Sequence, residues 1–269
     1  MKRHDLFSGV RGVTGHLGLL RALIVRDIEA RYRGTALGLT WSIASPLMML
    51  AVYTFLFGVV FRARWQGGGG MTEFVLMLYC GLITYGLFSE TLMRAPGAVV
   101  SQPNFVKKVV FPLELLPLAQ LGAATFNATV GLILLLIFLV VSGHGLPWTA
   151  VFLPALMLPF VLIVAGLAWL LAALGVFFRD IAHLINLFLT MMLSLSPVFY
   201  PVSATPAIVQ PLMNVNPLTF PIEELRRVLL VGAVPSLAHW AIYSAIAVVT
   251  ALLGLWMFQY TRSAFADVV

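Results

Sequence analysis

Uncharged apolar stretches long enough to cross a bilayer recur along this chain, and that recurrence restricts its fold more than any motif does. Residues 37–61, 115–142 and 148–178 carry no formal charge, 237–260 carries only His239 as a titratable imidazole, and 74–94 carries Glu90 and Arg94 near its end. A membrane helix needs about 20 mainly apolar residues to span a hydrocarbon layer roughly 30 Å thick. Only helices or closed barrels satisfy every backbone amide there, and these stretches are far too long for barrel strands. With 61% hydrophobic and 10% charged residues, the chain needs lipid as its solvent. The expected class is an all-α integral membrane protein of one domain, 1–269.

Charge placement orients the spans. Arg21, Arg26, Arg31 and Arg33 precede 37–61 and set its leading end in the cytoplasm. The expected spans are 37–61, 74–94, 115–142, 148–178, 184–200 and 237–260, six crossings with both termini cytoplasmic. Of the 16 Lys and Arg, this arrangement puts Arg62, Arg64, Arg226 and Arg227 outside and the rest inside, as positive-inside insertion requires. Pro154 and Pro159 in the fourth span predict a kink. Between 197 and 221 the chain carries Pro197, Pro201, Pro206, Pro211, Pro217 and Pro221, too many for a continuous helix. Irregular backbone at membrane depth must be buried in protein or line a wet cavity, so 201–230 reads as a re-entrant or outer gate segment. Thr219 is placed to cap a short helix starting near Pro221 and carrying Glu223, Glu224, Arg226 and Arg227.

Several chemistries are excluded by what is missing. The net charge of +6 comes from residues flanking apolar spans, which points to membrane lipids as partners and not to nucleic acid. No G-x-x-x-x-G-K-[ST] loop occurs, and the lysines are Lys2, Lys107 and Lys108, so any ATP and magnesium must be bound by a separate subunit. The five histidines form no tight ligand set, no G-x-S-x-G elbow is present, and no metal or cofactor is expected in this chain. A lone Cys80 in an apolar run makes no internal disulfide. The mixed, polar opening residues do not resemble a secretory leader. Few ionisable groups lie within the spans, against a proton-driven carrier.

Between 17 and 35, Leu17, Leu20, Ile24 and Ile28 share one side while Arg26, Glu29 and Arg33 share the other, the pattern of an amphipathic helix at the inner interface. It is either a membrane anchor or a docking surface for a cytoplasmic partner. Asp27 and Arg31 fall four apart, acid first, and are expected to pair with each other. Glu90 and Arg94 have the same spacing and the same expected pairing, with Arg94 otherwise free to meet an anionic lipid headgroup. Tyr53, Phe57 and Phe61 repeat every four residues, Tyr85 and Phe88 follow on the second span, and Phe199 and Tyr200 enter the proline-rich segment. Such rings either face a sugar or serve packing and the interface belt.

Specific strings narrow the function. Arg26-Asp27-Ile28-Glu29-Ala30-Arg31-Tyr32-Arg33, then Leu37-Gly38-Leu39-Thr40-Trp41 and Pro46, closely resemble the opening of polysaccharide-exporting ABC transporter permeases, the O-antigen and teichoic acid exporters. The resemblance continues through Asn104-Phe105-Val106-Lys107-Lys108-Val109-Val110-Phe111-Pro112, Phe177-Phe178-Arg179-Asp180-Ile181, Ser196-Pro197-Val198-Phe199-Tyr200-Pro201, Asn216-Pro217-Leu218-Thr219, Ile222-Glu223 and Phe265-Ala266-Asp267. It covers nearly the whole chain in the family's order.

The resemblance implies a homodimeric permease in the bacterial inner membrane. Two copies of an ABC ATPase subunit would drive it, and a lipid-linked polysaccharide would be its cargo. It makes 17–35 the interface helix beside the ATPase, with Arg26, Asp27, Glu29, Arg31, Tyr32 and Arg33 as coupling residues. It makes 104–112, with Asn104, Lys107 and Lys108, the cytoplasmic coupling helix, and Arg179 and Asp180 a second inner contact. Pro197, Pro201, Pro217 and Glu223 would belong to the gate. Glu90 and Arg94, read from the residues alone, are the headgroup candidates. A capsule exporter or a small-amphiphile exporter is the alternative cargo assignment. A transferase using Glu223, Glu224 and His239 is the alternative from another class.

Overall fold

A computed structural model describes residues 6–60, 70–107 and 111–268, and all regular structure among them is helical. In chain order the α-helices are α1 (Leu6–Gly15), α2 (Leu17–Tyr32), α3 (Trp41–Tyr53), α4 (Met71–Arg94), α5 (Gly97–Val100), α6 (Pro103–Lys107), α7 (Leu115–Val141), α8 (Leu153–Phe177), α9 (Ile181–Leu195), α10 (Gln210–Val215), α11 (Thr219–Arg226), α12 (Leu237–Thr261) and α13 (Phe265–Val268). Short 3-10 turns lead into α3 and α8, and α3 and α11 each run on into a π-helical stretch.

Five helical stretches are long and apolar enough to cross a bilayer: Gly38–Leu56, Met71–Arg94, Leu115–Val141, Trp148–Phe177 and Leu237–Ala264. Where a sixth span was expected over 184–200, α9 has 15 residues. At 1.5 Å per residue it reaches about 22 Å. It stops where Ser196 turns extended before Pro197.

Small residues bring the bundle together. Gly166 of α8 lies against the backbone of Thr250 and Ala251, and Gly254 of α12 lies against the backbone of Gly166, so a Cβ at either position would collide with main chain. Lipid offers helices no hydrophobic drive to associate, which makes this close backbone approach the source of their van der Waals attraction. The two helices run parallel. Trp240 near the start of α12 donates Nε1–H to the Ala155 carbonyl near the start of α8. Farther along both helices, Arg262 reaches Glu114, whose carbonyl accepts from Trp169 of α8. By contrast α4 and α7 are antiparallel, with Gly131 against Ile83 and Asn127 against Glu90.

The expected interface helix is not independent of the bundle. Leu23 is buried, and Gly122 of α7 leaves space for the Ile24 side chain. Leu17, assigned to its apolar side, is 60% exposed.

The proline-rich segment folds back onto the end of the bundle where α8 and α12 begin. Thr149 Oγ1 donates to the Val228 carbonyl and Tyr243 Oη to the Pro217 carbonyl, while Phe220 stacks on Tyr243 at 4.4 Å. Thr219 is not a cap: it is the first residue of α11, and its Oγ1 donates to the Met213 carbonyl. The preceding turn is held by Asn216, whose Oδ1 accepts from Leu218 N and whose Nδ2 donates to Ser196 Oγ. Arg226, expected outside, is 3% exposed. It donates to the Met77 and Val198 carbonyls and pairs with Glu223 at 3.3 Å.

Candidate functional site

A cavity of about 830 Å³ opens between the end of α2, α3, α4, α7 and α9. Its walls are mostly apolar, from Met49, Leu82, Ile83, Leu87, Leu189 and Leu193. Set into them are Ser42, Ser45, Ser89, Thr190, Asn186 and the rings of Trp41, Tyr53, Tyr79 and Tyr85. Tyr85 Oη donates to the Leu189 carbonyl at 2.8 Å and so ties α4 to α9 across the cavity. Tyr79 is 2% exposed and its hydroxyl has no protein partner. A buried phenol without a partner is destabilising unless something binds it. Rings beside hydroxyls and amides give a surface that takes both faces and edges of a hydroxylated ligand.

The end of this cavity between α2 and α4 is ionic. Arg31 Nη1 lies 2.5 Å from Glu90 Oε1. Arg94 donates to both carboxylate oxygens of Asp27, at 2.8 and 2.7 Å. Glu90 also accepts from Asn127 Nδ2 at 3.3 and 3.1 Å, and Asn127 Oδ1 accepts from Tyr32 Oη at 3.1 Å. The expected pairings within each helix are therefore replaced by pairings between α2 and α4. The spacing allowed both; proximity of the two helices decides for the second, because Arg94 gains a two-pronged contact that an i,i+4 pair on one helix does not supply. Asp27, Arg31 and Tyr32, assigned to ATPase coupling, face the bundle.

Other assigned residues lie at the protein surface. Arg26, Glu29 and Arg33 are exposed, and Arg33 and Glu29 approach only to 4.0 Å. Asn104 and Lys107 of α6 are exposed, as are Arg179 and Asp180 before α9. The Arg26 guanidinium sits 5.8 Å from the centroid of Phe105, so α2 and α6, assigned separately to coupling, touch. Lys108 lies outside the described residues.

The aromatic candidates divide. Tyr53 and Tyr85 line the cavity, and Phe199 packs on Tyr53 at 5.3 Å. Phe88 is 1% exposed within the main core, away from the cavity lining. Tyr200 donates to the Ser194 carbonyl. The Phe57 side chain and all of Phe61 lie outside the described residues. Pro197 is buried, Pro201 and Pro217 are half-buried, and Glu223 is tied to Arg226. Glu224 is buried with one carboxylate oxygen unpartnered, and the other lies 3.5 Å from Arg227. Sequence reading overlooked Tyr79 and Asn127; a carboxamide in the middle of a charge-free span was the signal for the latter.

Residues 18–230 match the ABC-2 type transporter family. The chain belongs to that family. It is 31% identical over 194 residues, 72% of each chain, to the O-antigen export system permease protein RfbA of Myxococcus xanthus. A protein of the same description from Klebsiella pneumoniae is 24% identical over 94% of this chain and 97% of its own length. The polysialic acid transport protein KpsM of Escherichia coli is 24% identical over 91% of this chain and 94% of its own. Membership of a membrane transporter family agrees with the five long apolar helices, and the chain is an integral membrane protein.

Proposed function

We propose that this chain is the permease subunit of an ABC exporter that moves a lipid-linked polysaccharide, O-antigen or teichoic-acid-like, outward across the bacterial inner membrane. The observation that carries the reading is its likeness to a relative named for O-antigen export over 72% of both chains. The cavity supports it, because phenol rings and hydroxyls set in apolar walls suit a cargo with sugar at one end and lipid at the other. The chain acts as a homodimer with two copies of a separate ATPase, which binds ATP and magnesium and carries out the hydrolysis. This subunit performs no chemistry of its own. Arg26, Glu29, Arg33 and α6 meet the ATPase, Glu90 and Arg94 stand near the lipid headgroup, and the segment around Pro197, Pro201, Pro217 and Glu223 gates the outer side. Both termini are cytoplasmic, and α9 with the segment after it supplies a sixth crossing.

Depleting the protein in its host tests this. Surface polysaccharide should fall and its lipid-linked precursor should accumulate inside; unchanged levels of both would refute the assignment. A capsule exporter is the second reading, favoured by the likeness to KpsM over 91% of the chain. Loss of capsule with O-antigen intact would select it.

A further inference from the structure

We propose that Asp27, Arg31, Glu90 and Arg94 form a two-state ionic latch, in which the same four charges pair either between α2 and α4 or within each helix, and that its release opens the inner end of the cavity. The inference rests on the exporter reading for the force that drives it, but not for the pairing.

In the latched arrangement Arg94 holds Asp27 and Arg31 holds Glu90. The alternative needs no new partner. Asp27 and Arg31 are four residues apart on α2, and Glu90 and Arg94 four apart on α4. In both helices the acid precedes the base, the favourable order for an i,i+4 pair. When α2 leaves α4, each helix can satisfy its own two charges, so separation strands no charge at the membrane edge. The four side chains are 21–31% exposed. At that exposure water screens both sets of pairs, which keeps the two states close in free energy.

The latch is also a partition. A second pocket, of about 490 Å³, is lined by Asp27, Ala30, Arg31, Glu90, Met93 and Arg94. Arg31, Glu90 and Met93 line the main cavity as well. Parting α2 from α4 at these residues joins the two spaces. Asn127 stays behind on α7 holding Glu90, so the carboxylate keeps its place while Arg31 departs. Because Arg26 of α2 sits over Phe105 of α6, a push on either inner element reaches the latch.

Charge reversal separates the two states. D27R/R94D preserves the pairs between helices but puts like charges four apart within each, which locks the latch shut. D27R/R31D preserves the pairs within helices and makes both contacts between helices repulsive, which locks it open. Reversing all four charges preserves every pairing. Spin labels at Ala22 and Val100, both exposed, report the separation in the full chain in lipid nanodiscs; Cys80 is buried and takes no label. Wild type should show two separations with the shorter dominant. D27R/R94D should lose the longer one, D27R/R31D the shorter one, and the quadruple variant should match wild type. These distances need neither cargo nor ATPase, so they decide the latch even where the exporter reading fails. In the complex with its ATPase, D27R/R94D should lose export, because locking the latch shut removes the open state. Export by D27R/R94D at the wild-type rate, or wild-type distances in both doubles, overturns the proposal. Where a double variant does not insert, D27C/R94C bridged by a reversible bifunctional methanethiosulfonate should stop export and recover on reduction; undiminished export by the bridged form overturns it equally.

Discussion

Arg226 carries more of the outer architecture than its exposure pattern suggests from sequence. Its guanidinium joins α4, through the Met77 carbonyl, to the turn before α10, through the Val198 carbonyl. Arg226→Leu removes both contacts and leaves Glu223 without its partner, so it should lower unfolding stability by about 3 kcal/mol, read as a fall in thermal midpoint in nanodiscs. Arg226→Lys should rescue little, because one ammonium does not reach two divergent carbonyls in a fork. Tyr79→Phe removes an unpartnered buried hydroxyl. It should leave stability equal or higher while reducing export several-fold, a split that a purely structural tyrosine would not produce.

Elements divide sharply into those legible from sequence and those not. α7 and α8 were legible because charge-free runs longer than the bilayer admit no other structure. The crossed ion pairs were not, since Asp27, Arg31, Glu90 and Arg94 have a complete local solution on each helix and only the packing of α2 along α7 brings them together. Ile24 against Gly122 sets that packing, and nothing in one helix's periodicity reports it. The burial of Arg226 was not legible for a related reason: a charge count assigns sides of the membrane but cannot tell a solvated arginine from one buried against carbonyls. Of the cavity, Tyr53 and Tyr85 were legible as rings at helical spacing, whereas Asn186 and Thr190 on α9 became lining only through tertiary contact. Glycine offers a test at this scale. Gly254→Ala should lower stability by about 2 kcal/mol, since its Cβ would meet the Gly166 backbone. Gly86→Ala, with open space around its Cβ, should be neutral or stabilise α4 by up to about 1 kcal/mol.

At the scale of the whole molecule, the parallel packing of α8 and α12 bears on the topology. Two parallel neighbours require the chain between them to return once to the end where both begin. α9 is too short to do so alone, reaching about 22 Å where the hydrocarbon layer is about 30 Å. The remainder must come from Ser196 to Arg227, whose turns are sealed by Asn216, Thr219 and Arg226 against protein and not lipid. That is the condition under which irregular backbone persists at membrane depth. The return path is thus part helix and part folded segment, and a path of this kind escapes any criterion based on helix length. Single cysteines introduced at Asn104, Asp180, Gly145 and Ala233 test the topology with a membrane-impermeant maleimide on intact cells. Gly145 and Ala233 should label from outside, and Asn104 and Asp180 only after permeabilisation. If Asp180 and Ala233 label from the same side, α9 and its continuation do not cross, and the two termini then lie on opposite faces.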